Sequence, residues 1–476
     1  MACSASGCQS NCYRIEEDDH EAPTPPTQTT PSSSSGEPAP IANGNHSHGL
    51  CLKCKANRPI SSSSSGSGDD ARFCGDCFRS NLFGKFRLAV TSNAMISPTD
   101  KVLVAFSGGL SSRVALQFVH EMQHKAQQNF DASRDRSLPV FGVGVAFIDE
   151  SAVFSVPSCE AAEGIEGMRV IVSNLAPPTK ELLVVPIESV FSSESSDGKN
   201  QLSKLLDAVT DATGKEDLLV HLRMLSLQKT AAENGYNRLV LGSCTSRIAS
   251  HVLSATVKGK GYSLPADIQY VDARWNVPVV LPLRDCLAEE LNILCHLDGF
   301  GSLKTIELIK SPCSGINSLV SSFVKLLQEE NPSRQSTIVR TAGKLTPFHF
   351  NRIPEIIDSN VPLATRRRQK RYNLKANESI SSESFCPICN SPLGRSDLLG
   401  TRNAGSSCKR SDLFSAACCS SCQFQILPKD PTSVESFYTH FPQPLVSRAK
   451  QNKSENLNLL RAQIQDCLLS DSEDET

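Results

Sequence analysis

"VLVAFSGGLSSRVAL", Val102–Leu116, is a five-residue apolar run, a glycine pair and the opening of a helical pattern. The run has no polar alternation, so a strand formed from it would be covered on both faces. After the glycines, Val114, Phe118 and Met122 recur at i, i+4 and i+8, which puts them on one helix face. Working outward, the same text repeats. "VFGVGVAFID" (Val140–Asp149), "ELLVVPI" (Glu181–Ile187), "RLVLGSC" (Arg238–Cys244) and "VPVVLPL" (Val277–Leu283) are further strand candidates. Between the third and fourth, "DLLVHLRMLSLQKTAAENG" is amphipathic through Leu218, Leu222 and Leu225 and stops at Gly235. Apolar strands separated by helices predict an α/β domain with a doubly wound parallel sheet, over residues 92–345.

The flanks read differently. Residues 1–49 are expected to be a disordered segment, since Glu16–Gly49 is rich in Pro, Ser, Thr and acidic residues and buries too little apolar surface to order itself. Residues 50–91 and 381–430 are cysteine modules, 346–380 is a basic linker, and 431–476 is a helical segment ending in the acidic tail "SDSEDET". A net charge of −2 gives no global field toward nucleic acid, so affinity for it must come from local patches. No apolar run is long enough to cross a bilayer and no signal-peptide core follows Met1, so no membrane is expected. With 19 cysteines and no secretion signal, reduced thiols binding metal in the cytoplasm are expected rather than a disulfide scaffold.

Two Cys-x-x-Cys knuckles, Cys51/Cys54 and Cys74/Cys77, are separated by nineteen residues. A knuckle aims two thiolates at one ion across a tight turn, and two knuckles complete a closed tetrahedral zinc site of structural type. Cys386/Cys389 and Cys419/Cys422 repeat the pattern at longer separation, with Cys408 and Cys418 as rival ligands. Cys3, Cys8 and Cys12 match no knuckle spacing and read as unligated, and His46 and His48 read as solvated.

The turn Ser107, Gly108, Gly109, Ser111, Ser112 allows close backbone approach and aims helix N–H groups at an anion. It is neither a GKS/GKT phosphate loop nor a GxGxxG dinucleotide turn. A strand–SGG–helix unit at the first strand, with a cysteine module upstream, resembles the PP-loop ATP pyrophosphatase family, of adenine nucleotide alpha hydrolase-like fold. That family's signature is SGG-x-D-S. "CLKCK", "FCGDCF", "KFR", "VLVAFSGG" and "FIDE" stand here in the order of its tRNA 2-thiolation branch, from Cys51 to Cys422. The resemblance implies a cytoplasmic heterodimer with a catalytic paralogue. It also implies tRNA as substrate and a thiocarboxylated ubiquitin-related modifier as sulfur donor to the complex.

The departures from the family's pattern decide the role. Ser111 stands where the family has Asp, and "LGSCTSRIAS" keeps Gly242 but lacks the paired acids of the branch's GHNADD-like motif. Between Asp149 and Cys244 only Cys159 occurs, so the branch's core Cys-x-x-Cys is absent, and Cys244, Cys286, Cys295 and Cys313 stand singly as small apolar side chains. Magnesium prefers carboxylate and phosphate oxygens, which weakens the case for ATP. No catalytic residue is therefore assigned, and the turn is read as a nucleotide-loop remnant. Lys85, Arg87, Lys258, Lys260, Arg366, Arg367, Arg368, Lys370 and Arg371 are candidate tRNA phosphate contacts. Leu, Val and Phe of "SGINSLVSSFVKLLQEE" supply a candidate docking helix. Two alternatives are an independent ATP-dependent sulfurtransferase using Cys244 and a zinc-ribbon scaffold without RNA contact.

Overall fold

A computed structural model describes residues 50–60, 72–133, 139–154, 157–191, 197–299, 315–331, 333–345, 384–393 and 418–450. All five apolar runs form strands: β1 (Lys101–Ala105), β2 (Gly142–Asp149), β3 (Leu182–Pro186), β4 (Arg238–Val240) and β6 (Val279–Val280). Their order across the sheet is β3-β2-β1-β4-β6, with every neighbouring pair parallel. In β1, Val102 faces Val143 of β2 on one side and Arg238 of β4 on the other.

One expectation is corrected. A sixth strand, β5 (Val271–Asp272), pairs antiparallel with β6 at the sheet edge, so the sheet is mixed rather than all parallel. Two residues carry no period, and β5 is fixed by its neighbours. Arg274, just beyond it, donates to both Asp272 and Asp267 and turns the chain back toward β6.

Alternation along β1 divides the core. Val102 and Val104 face α1 (Gly75–Ser92), α2 (Leu110–Ala132), α3 (Ser158–Ser173) and α8 (Ala288–Leu297), where Phe86, Phe118, Met168 and Leu291 pack. Leu103 faces the opposite layer, built on α4 (Gly198–Asp207), α5 (Ala212–Glu233), α6 (Thr245–Val257) and α9 (Ile316–Glu330). Each fully buried Leu, Val or Phe contributes ~1.5–3 kcal/mol by area. Helix α5 starts where Asp211 accepts the Gly214 N–H at 2.7 Å. It gives out at Gly235, whose φ of 70° no side chain favours. Short α7 (Leu264–Asp267) and α10 (Ser333–Ala342) complete the domain.

The second cysteine group shares this core. Cys386, Ile388, Cys419, Cys422 and Leu445 belong to the same apolar cluster as Leu218 and Leu222 of α5. Helix α11 (Ser420–Gln425) carries Cys422, and α12 (Pro431–Thr439) follows it. The end of α11 is locked to α5, because the Gln425 carbonyl occupies the space a Cβ on Gly214 would need.

Candidate metal centres and the glycine turn after the first strand

The SGG turn lies at the carboxyl ends of β1 and β4, adjacent strands whose connections run to opposite sides of the sheet. Open α/β folds bind ligands at such a switch point. Gly108 takes φ of 75°, and Gly109 is the N-cap of α2 in extended geometry with no side chain capping the helix. Ser112 Oγ donates to Gly109 O at 2.8 Å, and Ser107 Oγ lies 3.2 Å from Ser112 Oγ. From the β4 side the backbone presses in: a Cβ on Gly242 would sit 2.7 Å from Ser112 Cα and 2.8 Å from its N. Close approach is therefore enforced at Gly108 and Gly242. Gly109 is a lesser constraint, since its Cβ position meets only Ser107 Oγ at 3.6 Å.

The turn keeps its backbone, and its side chains are hydroxyls. No acid stands in the first turn of α2. At the end of β2, Glu150 is buried and engaged by Arg223, whose Nη2 donates to Oε2 at 2.9 Å, while Asp149 accepts the Ser151 N–H at 2.9 Å. Thr245, beside Gly242, gives its hydroxyl to Arg284 O at 2.7 Å. Such a cradle offers N–H and O–H donors to an anion and no carboxylate at the loop for magnesium. Cys244, Cys286 and Cys295 are buried in the α1/α2/α8 layer. Burial pushes Cys286 well up and Cys295 up to about 11, which makes them packing thiols rather than nucleophiles. Cys159 is exposed; Cys313 lies outside the described residues.

Both cysteine quartets assemble. The Sγ atoms of Cys51, Cys54, Cys74 and Cys77 lie within 4.8 Å of one another, as do those of Cys386, Cys389, Cys419 and Cys422. The two share a construction. After each leading knuckle a non-glycine residue turns left-handed, Lys55 at φ 54° and Asn390 at φ 56°. Its N–H returns to the first cysteine's carbonyl at 2.9 Å in both. The trailing cysteines sit at a helix start: Cys74 is the N-cap of α1 and Cys419 of α11. Helix N-termini favour thiolates.

The donor set fits a tetrahedral ion. Zinc–sulfur bonds of about 2.3 Å place sulfurs about 3.8 Å apart, and Cys54–Cys74 and Cys389–Cys419 are 3.7 and 3.6 Å apart with no disulfide formed. Without a cation the sulfurs cannot all ionise. Burial opposes charge on Cys51, yet backbone N–H groups outweigh it and bring that thiol down to about 6; Cys77 is pushed up to about 12 by burial and its neighbouring sulfurs. Of the rival ligands, Cys418 is buried beside the second quartet but outside it, its thiol pushed up by burial. Cys408 lies outside the described residues, as do Cys3, Cys8, Cys12, His46 and His48.

The basic candidates separate. Lys258 and Lys260 are not presented to a surface phosphate. Their side chains are 8% and 10% exposed, and both ammoniums bond Asp217 at 2.8 Å. Sequence spacing could not foresee a carboxylate 41 and 43 residues upstream in the chain. Lys85 bonds Glu290 at 2.6 Å, and Arg87 is exposed on α1. Arg366, Arg367, Arg368, Lys370 and Arg371 lie outside the described residues. Exposed Lys53, Lys55, Arg58 and Arg72 around the first quartet were not singled out, although "CLKCKANR" displays three of them. The pairing of Leu52 N with Arg72 O at 3.0 Å brings the fourth alongside.

A family model described as cytoplasmic tRNA 2-thiolation protein 2 matches residues 315–474. The protein of that name from Arabidopsis thaliana is 61% identical over 476 residues, covering 100% of both chains. That from Oryza sativa subsp. indica is 52% identical over 425 residues, 89% of this chain and 90% of its own. The Homo sapiens protein is 28% identical over 359 residues, 62% of this chain and 67% of its own. Among solved structures, the U34-tRNA thiolase NcsA from Methanococcus maripaludis with its 4Fe-4S cluster shares 18% identity at a TM-score of 0.48, covering 65% of this chain and 92% of that one.

Proposed function

The chain belongs to the cytoplasmic tRNA 2-thiolation protein 2 family, and from that premise we propose that it is the non-catalytic subunit of the complex that 2-thiolates the wobble uridine of tRNA. It pairs with a catalytic PP-loop paralogue, which takes sulfur from a thiocarboxylated ubiquitin-related modifier, and it helps hold the tRNA. The observation that carries this reading is the loop at the switch point. Its backbone is kept, with Gly108 left-handed and Gly242 against Ser112, while hydroxyls stand where magnesium would need carboxylates. The relatives are named cytoplasmic, and the reading places this chain there. No helix among the described residues is long and apolar enough to cross a membrane.

Zinc is the ion the two quartets suit: Cys51, Cys54, Cys74 and Cys77 would hold one, and Cys386, Cys389, Cys419 and Cys422 the other. Bound there, it cross-links knuckle to helix and leaves no open position for chemistry. For tRNA, the exposed cations Lys53, Lys55, Arg58, Arg72 and Arg87 and the run at residues 366–371 supply phosphate contacts. For the catalytic partner, α9 turns Val320 and Val324 inward and leaves Leu319, Phe323 and Leu326 at 69%, 52% and 59% exposure. These recur at i, i+4 and i+7, a second apolar stripe on one helix.

The test is wobble-uridine thiolation by the purified chain, by its partner and by the two together, with ATP and the sulfur donor supplied. Full activity is expected only from the pair. Thiolation by this chain alone would overturn the proposal in favour of an independent sulfurtransferase.

A further inference from the structure

The C-terminal cysteine module keeps most of its apolar side chains inside. Phe437 and Phe441 are buried with their rings edge to face, centroids 4.8 Å apart, and Ile426, Leu427 and Leu445 are buried too. Phe424 breaks this pattern. At 73% it is the most exposed of the large apolar side chains among the described residues. A scattered surface Leu or Val calls for no explanation, but this ring is fixed in place. Helix α11 turns Ser421, Cys422 and Gln425 inward, which leaves position 424 on its outer face. The helix cannot roll to hide the ring. Cys419 and Cys422 tie it to the cysteine quartet, and the Gln425 carbonyl at its end lies against Gly214 of α5, 2.0 Å from where a Cβ would stand.

A cation is set beside the ring. Past the buried Ile426 and Leu427 the chain returns Lys429, whose Nζ lies 5.3 Å from the centre of Phe424. An ammonium within about 6 Å of an aromatic centre is attracted to the ring face. Lys429 is itself exposed, so its charge stays open to a ligand. Asp430, next in the chain, is occupied at the start of α12, where it accepts the Ser433 N–H at 3.0 Å and the Ser433 hydroxyl at 2.9 Å. The pair therefore offers a π surface and a positive charge side by side. A nucleotide of single-stranded RNA presents the matching two groups, a base with a free π face and a phosphate. Duplex RNA does not, because its bases are stacked on one another. The cations proposed above for tRNA meet phosphates alone and would hold a stem as well as a loop.

Resting on the reading that this chain helps hold tRNA, we propose that Phe424 and Lys429 form a stacking site for one unpaired base of the RNA. Phe424 takes the base and Lys429 the adjoining phosphate.

The experiment measures binding of the reconstituted heterodimer to an anticodon stem-loop RNA and to a blunt RNA duplex of equal charge. It is run across a salt series, with Phe424 or Lys429 replaced in this chain. Phe424→Ala should weaken stem-loop binding by about 5–150-fold, the loss of one base–aromatic stack. Its salt slope should match the wild type, since stacking releases no counterion. Phe424→Trp should keep wild-type affinity. Lys429→Ala should lower the slope by about 0.7, the share of one single-strand phosphate contact. Duplex binding should be the same in Phe424→Ala and wild type, and so should the melting temperature, because the ring is exposed. Unchanged stem-loop affinity in Phe424→Ala, or an equal loss on the duplex, would overturn the inference and leave the tRNA reading in place. Failure of that variant to assemble with the catalytic paralogue would overturn it in favour of a protein contact. A wild-type heterodimer that binds neither RNA would overturn the tRNA reading itself, and the inference with it.

Discussion

Three glycines line the cleft at the end of β1, and the structure assigns them opposite responses to an added methyl group. Gly242→Ala places a Cβ 2.7 Å from Ser112 Cα, 2.8 Å from Ser112 N and 2.9 Å from Ser111 C. All three are backbone atoms of α2, so no side chain can swing aside, and overpacking of this kind costs ~1–3 kcal/mol. Gly108→Ala meets a conformational cost instead: at φ of 75° an L-residue loses ~1–2 kcal/mol. Gly109→Ala meets neither. Its φ is −73°, its Cβ would touch only a hydroxyl at 3.6 Å, and a narrower unfolded ensemble stabilises by ~0.4–1 kcal/mol. A change of 1 kcal/mol moves the melting temperature by ~2–4 °C in a domain this size. Thermal melting of the three variants should therefore show Gly242→Ala and Gly108→Ala several degrees down and Gly109→Ala level or up. A Gly109→Ala variant destabilised as much as Gly242→Ala would refute the placement of the two loops.

Other outcomes are equally open to measurement. By elemental analysis, Cys51→Ser and Cys419→Ser should each lose one zinc per chain, whereas Cys418→Ser and Cys408→Ser should keep both. Replacing Arg366, Arg367 and Arg368 by Ala should reduce the slope of log K against log salt for tRNA by roughly 2–3, at about 0.7–0.9 per phosphate contact; an unchanged slope would make them solvated residues. Burial opposes the Asp267 charge, but Arg274 and His251 outweigh it and hold that carboxyl well below the usual carboxylate range. With the folded value depressed, its contribution is complete above the unfolded value near 4 and is lost as pH falls below it. Asp267→Asn should accordingly lower the denaturation midpoint at neutral pH and converge with the wild type in acid. A constant gap across that range would contradict the assignment.

What was legible in the sequence follows physical range. Val102, Leu103 and Val104 are apolar in succession because helices cover both faces, so the strand and its setting show in five letters. The stop of α5 was visible at Gly235. The grouping of the cysteines into two quartets was legible too, even with twenty-nine residues between Cys389 and Cys419, because knuckle spacing is local chemistry. What escaped depends on partners distant in the chain. Lys258 and Lys260 look like phosphate ligands until Asp217 is placed beside them. Gly109 looks as constrained as Gly108 until the loop after β4 arrives at Gly242. Strand β5 has two residues and no pattern, and the merging of the second quartet with the α5 layer is a matter of packing alone.

The central claim is that the loop after β1 keeps its shape without taking part in the chemistry. Ser111 stands at the position where the PP-loop signature that the sequence resembles has its acid, and the most direct measurement is single-turnover wobble-uridine thiolation by the reconstituted complex carrying Ser111→Ala in this chain. With thermal melting showing an intact fold, the account predicts thiolated tRNA formed at the wild-type rate. A large fall in rate at unaltered stability would contradict it and return this loop to the reaction.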